Sequence, residues 1–156
     1  MGFSPWGLIV GVAVFAPSLL LLAFPPRDRL PTIRPALALT VLERAGQALC
    51  LVVPAITEPG GALWWWALPA ALTLLAYDAL WARYLVRGRR AELLFESVIG
   101  VPVPMAILPV AVFACAAAWL VNPWLAGSAI ILAAGHIPVS LAGRNALRTR
   151  RGAAGR

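Results

Sequence analysis

The sequence contains no lysine, a single histidine and only six acidic residues, and charged residues make up 12% of its 156 positions. No HExxH, CxxC, GxSxG or Walker pattern occurs, so the common signatures of metallohydrolases, thiol redox proteins, serine hydrolases and nucleotide-binding loops are missing. One histidine, His136, cannot supply both axial ligands of a bis-histidine haem within one chain, and nothing else in the sequence asks for a cofactor or a metal. The two cysteines, Cys50 and Cys115, lack metal-type spacing. They read as small apolar filler, although a disulfide between them is geometrically possible.

What the sequence has is apolar surface. It is 62% hydrophobic with a mean hydropathy of +0.85. A soluble domain of this length has too little interior to hide so much of it, whereas a helical membrane protein exposes it to lipid. Five apolar runs approach the twenty or so residues that cross a bilayer: Trp6–Phe24, Ala36–Ile56, Ala62–Leu85, Val98–Val121 and Trp124–Ala142. The expected fold is therefore an all-α bundle of five transmembrane helices over residues 1–142, followed by a basic, disordered tail at 143–156. The first run does not read as a cleaved signal, because no basic residue precedes it and Arg27, Asp28, Arg29 and Arg34 follow it.

All 13 basic residues are arginine. Arginine-only usage suits bidentate phosphate recognition, and biased coding composition gives the same pattern. A net charge of +7 raises the question of nucleic acid, but the arginines sit at the ends of apolar runs, as topology determinants do. Twelve of them fall in the 25–35 loop, the 83–97 segment and the tail, Arg44 alone lies inside an apolar run, and none occurs in the N-terminus, the Glu58–Gly61 turn or the Asn122–Pro123 turn. The positive-inside rule then places the N-terminus outside and the C-terminus in the cytoplasm of a multi-pass protein of the cell (inner or plasma) membrane. Trp6, Trp64, Trp65, Trp66, Trp119 and Trp124 all fall at the other ends of the runs, where an aromatic belt belongs, and only Trp81 lies elsewhere. Anionic lipid headgroups are the expected partners of the arginine-rich face, with a homo-oligomer or a larger membrane complex as further possibilities. Segment 87–97 is too polar to span and reads as an interfacial helix that dips Leu93, Leu94 and Phe95 into lipid, with Tyr77, Trp81 and Tyr84 as nearby interfacial anchors.

The informative polar residues lie inside the apolar runs. Thr40, Glu43, Gln47 and Cys50 follow helical spacing and form one stripe, while Arg44 points about 100° away from Glu43. A charge at bilayer depth costs about 2.5–3.5 kcal/mol on insertion scales, so each needs a partner or a polar cavity. Arg44 and Asp78 are equidistant from Gly61, which predicts a pair between the second and third helices. Counting from the turns puts Glu43, Arg44, Asp78 and His136 in one belt in the cytoplasmic half. Pro17, Pro102, Pro104, Pro109 and Pro138 are the expected helix breaks at or near that belt.

The reading that follows is a pocket of Glu43, Gln47, Asp78, His136 and Arg44 that binds or passes a small solute, a proton or a lipid headgroup. The alternative is an accessory or scaffold subunit whose buried charges are structural. A third reading, an intramembrane enzyme with Glu43 and His136 as acid and base, lacks a nucleophile placed beside them.

Overall fold

In the computed structural model, which describes residues 2–154, the apolar runs become helices that begin where the sequence supplies caps. Ser4 accepts a hydrogen bond from the amide of Gly7 at 3.1 Å and Pro5 takes the first helical position, where its missing N–H costs nothing. The segment α1 (Pro5–Ala23) is α-helical over Pro5–Phe15 and narrows to a 3-10 turn over Ala16–Leu19 around Pro17. It ends in the short helical turn Leu20–Ala23. The next two helices are α2 (Leu37–Ile56) and α3 (Ala67–Val86), the latter led in by a 3-10 turn of three tryptophans, Trp64–Trp66. They are followed by α4 (Pro104–Trp119) and α5 (Pro123–Ala154). Asn122 caps α5 by accepting from the amide of Leu125 at 3.1 Å, and Pro123 is its first residue.

The chain is thus an all-helical bundle of five helices among the described residues. Three of them, Pro5–Ala23, Leu37–Ile56 and Pro123–Ala153, are long and apolar enough to cross a membrane. Successive helices alternate in direction, because the same ends meet. At one end Trp6, Trp64 and Trp119 cluster with ring centroids 5.3–5.7 Å apart, and Asn122 donates to Thr57 Oγ1 at 2.6 Å. At the other end the amide of Ala91 donates to Asp28 Oδ1 at 2.7 Å, Tyr84 donates to the carbonyl of Phe24 at 2.8 Å, and Arg151 pairs with Glu92. These will be called the tryptophan end and the arginine end.

Packing runs in the order α2–α5–α4–α3, with α1 laid against α2 and touching α4. Glycine sets the closest approaches. A Cβ on Gly46 of α2 would fall 2.9 Å from Leu132 Cβ, and one on Gly135 of α5 would fall 2.6 Å from Glu43 Cα. Gly7 of α1 lies in the same way against the backbone of Pro54, and Gly11 against α2 one turn further on. Small residues that let helix backbones touch are the usual glue of membrane bundles, and Gly7-Leu8-Ile9-Val10-Gly11 is a GxxxG run. The tryptophan half of the core is an apolar cluster that includes Val10, Val14, Cys50, Phe113, Ala116, Leu125 and Leu132.

Several expectations are corrected. The fourth run does not start as helix at Val98: residues 98–103 form a tight turn with positive φ at Ile99, Gly100 and Val103, at the breaks expected of Pro102 and Pro104, and α4 starts at Pro104. Proline at 102 and 104 denies the helix its amides there. Pro109 and Pro138, in contrast, sit inside uninterrupted helices. The tail is helical as far as Ala154, held by the ring of Phe95 against Gly143 and by the Arg151–Glu92 pair. The segment after α3 is a 3-10 turn, Ala91–Leu94, that turns Leu93 inward rather than toward lipid. Tyr77, Trp81 and Tyr84 are not surface anchors. They pack edge-to-face at 6.2 and 5.8 Å in a buried cluster with Leu93 and Met105. Both cysteines are free thiols, with Cys50 fully buried.

Candidate functional site

Because Gly46 and Gly135 let α2 and α5 touch, two polar side chains inside their apolar runs come into contact. His136 Nδ1 lies 2.7 Å from Glu43 Oε1, and the two side chains are only 25% and 17% exposed. A carboxylate is an acceptor, so Nδ1 carries the hydrogen in this contact and Nε2 of the neutral ring is left as an acceptor. No protein group among the described residues bonds Nε2.

His136 forms part of the wall of a cavity of about 260 Å³, and Glu43 stands behind it. The cavity lies toward the arginine end, between all five helices, and most of its wall is apolar: Val14, Phe15, Leu21, Met105, Pro109, Phe113 and Leu132. Its polar wall is His136, Gln47, Ser140, Ser18, Tyr77 and Trp81. Ser18 is already engaged with the carbonyl of Phe15 at 2.7 Å. Trp81 is 5% exposed and its indole N–H has no acceptor on the described protein, the kind of orphan that calls for an explanation.

A second cavity, of about 270 Å³, sits beyond Phe95, whose ring is a wall of both. It is lined by Arg144, Arg148, Arg151, Glu92, Glu96, Ser97 and Leu147. Glu92 is taken by Arg151 and Glu96 by Arg83. Arg144 and Arg148 have no ion pair among the described residues. One row of α5 contributes to both walls: Leu132, His136 and Ser140 line the first cavity and Arg144 and Arg148 the second, and because each four-residue step turns about 40° round the helix the row winds from the first cavity to the second as a ridge. The ridge passes from apolar through neutral polar to cationic. This gradation is visible in the sequence as spacing, but Arg144 and Arg148 read there only as topology determinants.

The structure brings together Glu43, Gln47 and His136, with Gln47 on the wall one turn from Glu43. It does not bring in Arg44 or Asp78. Arg44 is exposed on α2, where it reaches only Gln47 Oε1 at 3.5 Å, and Asp78 is exposed on α3 without an ion pair among the described residues. Their expected pairing assumed that α2 and α3 pack as a hairpin. They are instead the two ends of the packing order. The dyad also lacks an adjacent nucleophile, since no serine, threonine or cysteine among the described residues hydrogen-bonds to it.

No protein-family model matches the chain, and neither a curated protein nor a solved structure matches it. What the fold and the site define is a class: a five-helix bundle with three helices fit to cross a membrane and an amphiphilic double cavity at its arginine end.

Proposed function

We propose that this chain is a five-span protein of the cell membrane, with its N-terminus outside and its arginine end in the cytoplasm, that binds an anionic amphiphile from the cytoplasmic leaflet. The observation that carries the reading is the α5 ridge. Its apolar stretch suits an acyl chain, His136 and Ser140 suit a hydroxyl or ester group, and the free guanidinium groups of Arg144 and Arg148 suit a phosphate-type headgroup. A small polar solute would be poorly served by a wall this apolar. Passage of a solute or proton across the bundle is disfavoured because the tryptophan half is filled by buried Val14, Cys50, Phe113 and Leu125 with no continuing polar path.

The test uses the full chain reconstituted in phosphatidylcholine nanodiscs and titrated with a long-chain alkyl phosphate, with the matching alkyl alcohol as the neutral control. The phosphate is expected to bind more tightly than the alcohol. Arg144→Gln with Arg148→Gln removes two charge-assisted hydrogen-bond donors, each worth about 1.5–3 kcal/mol, so the phosphate should lose about a hundredfold or more while the alcohol is unchanged. Equal affinity for the two probes, or no loss in the double variant, sinks the reading.

Topology is checked separately. In a chain whose two cysteines are replaced by alanine, Gly61→Cys lies in open space at the tryptophan end and Ser97→Cys is exposed at the arginine end. Position 61 should react with an impermeant maleimide in intact cells, and position 97 only after permeabilisation. The reverse pattern would invert the orientation.

The scaffold reading keeps one specific observation in its favour. Arg44 and Asp78 face outward from the bundle, where a purely monomeric binding protein has no use for them.

A further inference from the structure

Arg44 and Asp78 are each the single charge in an outward apolar stripe. On α2 the exposed stripe is Leu37, Val41, Arg44, Ala48 and Leu51; on α3 it is Leu68, Ala71, Leu75, Asp78 and Ala82. Both follow three-and-four spacing, so each forms one continuous helix face. Neither charge has an ion-pair partner among the described residues. Arg44 lies 12 residues from Ile56, the tryptophan-end terminus of α2, and Asp78 lies 11 residues from Ala67, that of α3, so at about 1.5 Å per residue the two stand within about 2 Å of one height in the bundle. Asp78 is too short to reach water from that height, and a lone carboxylate against lipid is among the least favourable placements a side chain can take.

We propose that a second copy of this chain covers these faces, with α3 of one protomer laid against α2 of the next and Asp78 paired with Arg44 across the contact. The inference rests on the membrane reading above, which fixes all copies in one orientation. Copies in one bilayer are related by rotation about its normal, and such a rotation keeps every residue at its depth. Two opposite charges at one height can therefore meet between copies, even though packing keeps them apart within a copy. Laid antiparallel with Arg44 opposite Asp78, the stripes also alternate in size: Val41 meets Ala82, Ala48 meets Leu75 and Leu51 meets Ala71. Small residues opposite large ones give the close approach that helix contacts in lipid require. Because α2 and α3 stand at opposite ends of the packing order, one two-fold contact cannot join both pairs of faces, so the contact is heterologous and copies related by rotation about the bilayer normal close into a ring.

The experiment is directed disulfide cross-linking in native membranes, in chains lacking Cys50 and Cys115. Chains with Ala48→Cys and one tag are co-expressed with chains carrying Leu75→Cys and another tag. A dimer joining the two tags is expected to dominate over either homotypic dimer, and a chain carrying both substitutions should give a ladder that stops at the ring size. Arg44→Asp alone and Asp78→Arg alone should each lose the mixed dimer, and the chain with both should regain it. Absence of the mixed dimer, which lipid or a different subunit on these faces would produce, overturns the proposal. So does a dimer indifferent to the charge reversals. The maleimide test at positions 61 and 97 reads the membrane topology independently, so a failure of cross-linking in a chain with the expected topology counts against the oligomer alone.

Discussion

Replacing Gly135 by alanine is expected to force α2 and α5 apart and to break the Glu43–His136 contact without touching either side chain. The added methyl would lie 2.6 Å from Glu43 Cα and run into the backbone of Leu42 and Glu43, so no rotamer change can relieve it. Gly46→Ala meets the backbone of Leu132 in the same way from the opposite helix. Overpacking of this kind costs about 1–3 kcal/mol, and where the obstacle is backbone the helices themselves have to move. The control lies on the same helix. Gly127 has nothing within 4 Å of its would-be Cβ, so Gly127→Ala should be neutral or, through helix propensity, slightly stabilising. Thermal melting of the purified chain in detergent compares the three, and the alkyl phosphate titration reports the cavity. Gly135→Ala and Gly46→Ala are expected to lower the melting midpoint and weaken binding, and Gly127→Ala to do neither. Indistinguishable melting of Gly135→Ala and Gly127→Ala would mean that the α2–α5 contact is not the close one described.

The same glycines explain how far the sequence could be read. Hydrophobic run length and the placement of arginine and tryptophan led to an all-helical bundle with distinct ends, because each depends only on composition along the chain. The contact between Glu43 and His136 depends on which helices touch, and chain order does not say so. A hairpin assumption about Gly61 put Arg44 beside Asp78. Helix adjacency is instead marked by glycine at the level of the polar residues, Gly46 beside Glu43 in α2 and Gly135 beside His136 in α5. Helix ends failed for a different reason. The tail looked too short and basic to fold alone, and tertiary contact through Phe95 and Glu92 holds it as helix. The second cavity was illegible because its wall draws on segment 92–97, whose path is set by the 3-10 turn at Ala91–Leu94 and not by any periodicity.

The dyad itself is separable into a binding part and a structural part by comparing what each substitution strands. His136→Ala removes the hydrogen-bond donor of a carboxylate that is 17% exposed, and leaving such an acceptor unpaired costs about 1–3 kcal/mol, more for a charged group. Glu43→Gln strands no charge: the amide oxygen still accepts from Nδ1, and only the charge behind the imidazole is lost. The chain with Glu43→Gln should therefore fold with a melting midpoint close to the parent. Its affinity for the alkyl alcohol, whose hydroxyl can donate to Nε2, should fall, because an imidazole without the carboxylate behind it is a weaker and less well oriented acceptor. In the chain carrying both Glu43→Gln and His136→Ala the stranded carboxylate is gone, so its stability should recover part of the loss seen with His136→Ala alone, a coupling that a double-mutant cycle measures. Its binding should not recover, because no imidazole remains on the cavity wall. If Glu43→Gln unfolds the chain as severely as His136→Ala does, and the double variant is no better than either, the two residues serve only to hold α2 against α5. The ligand site would then have to be sought among the arginines alone.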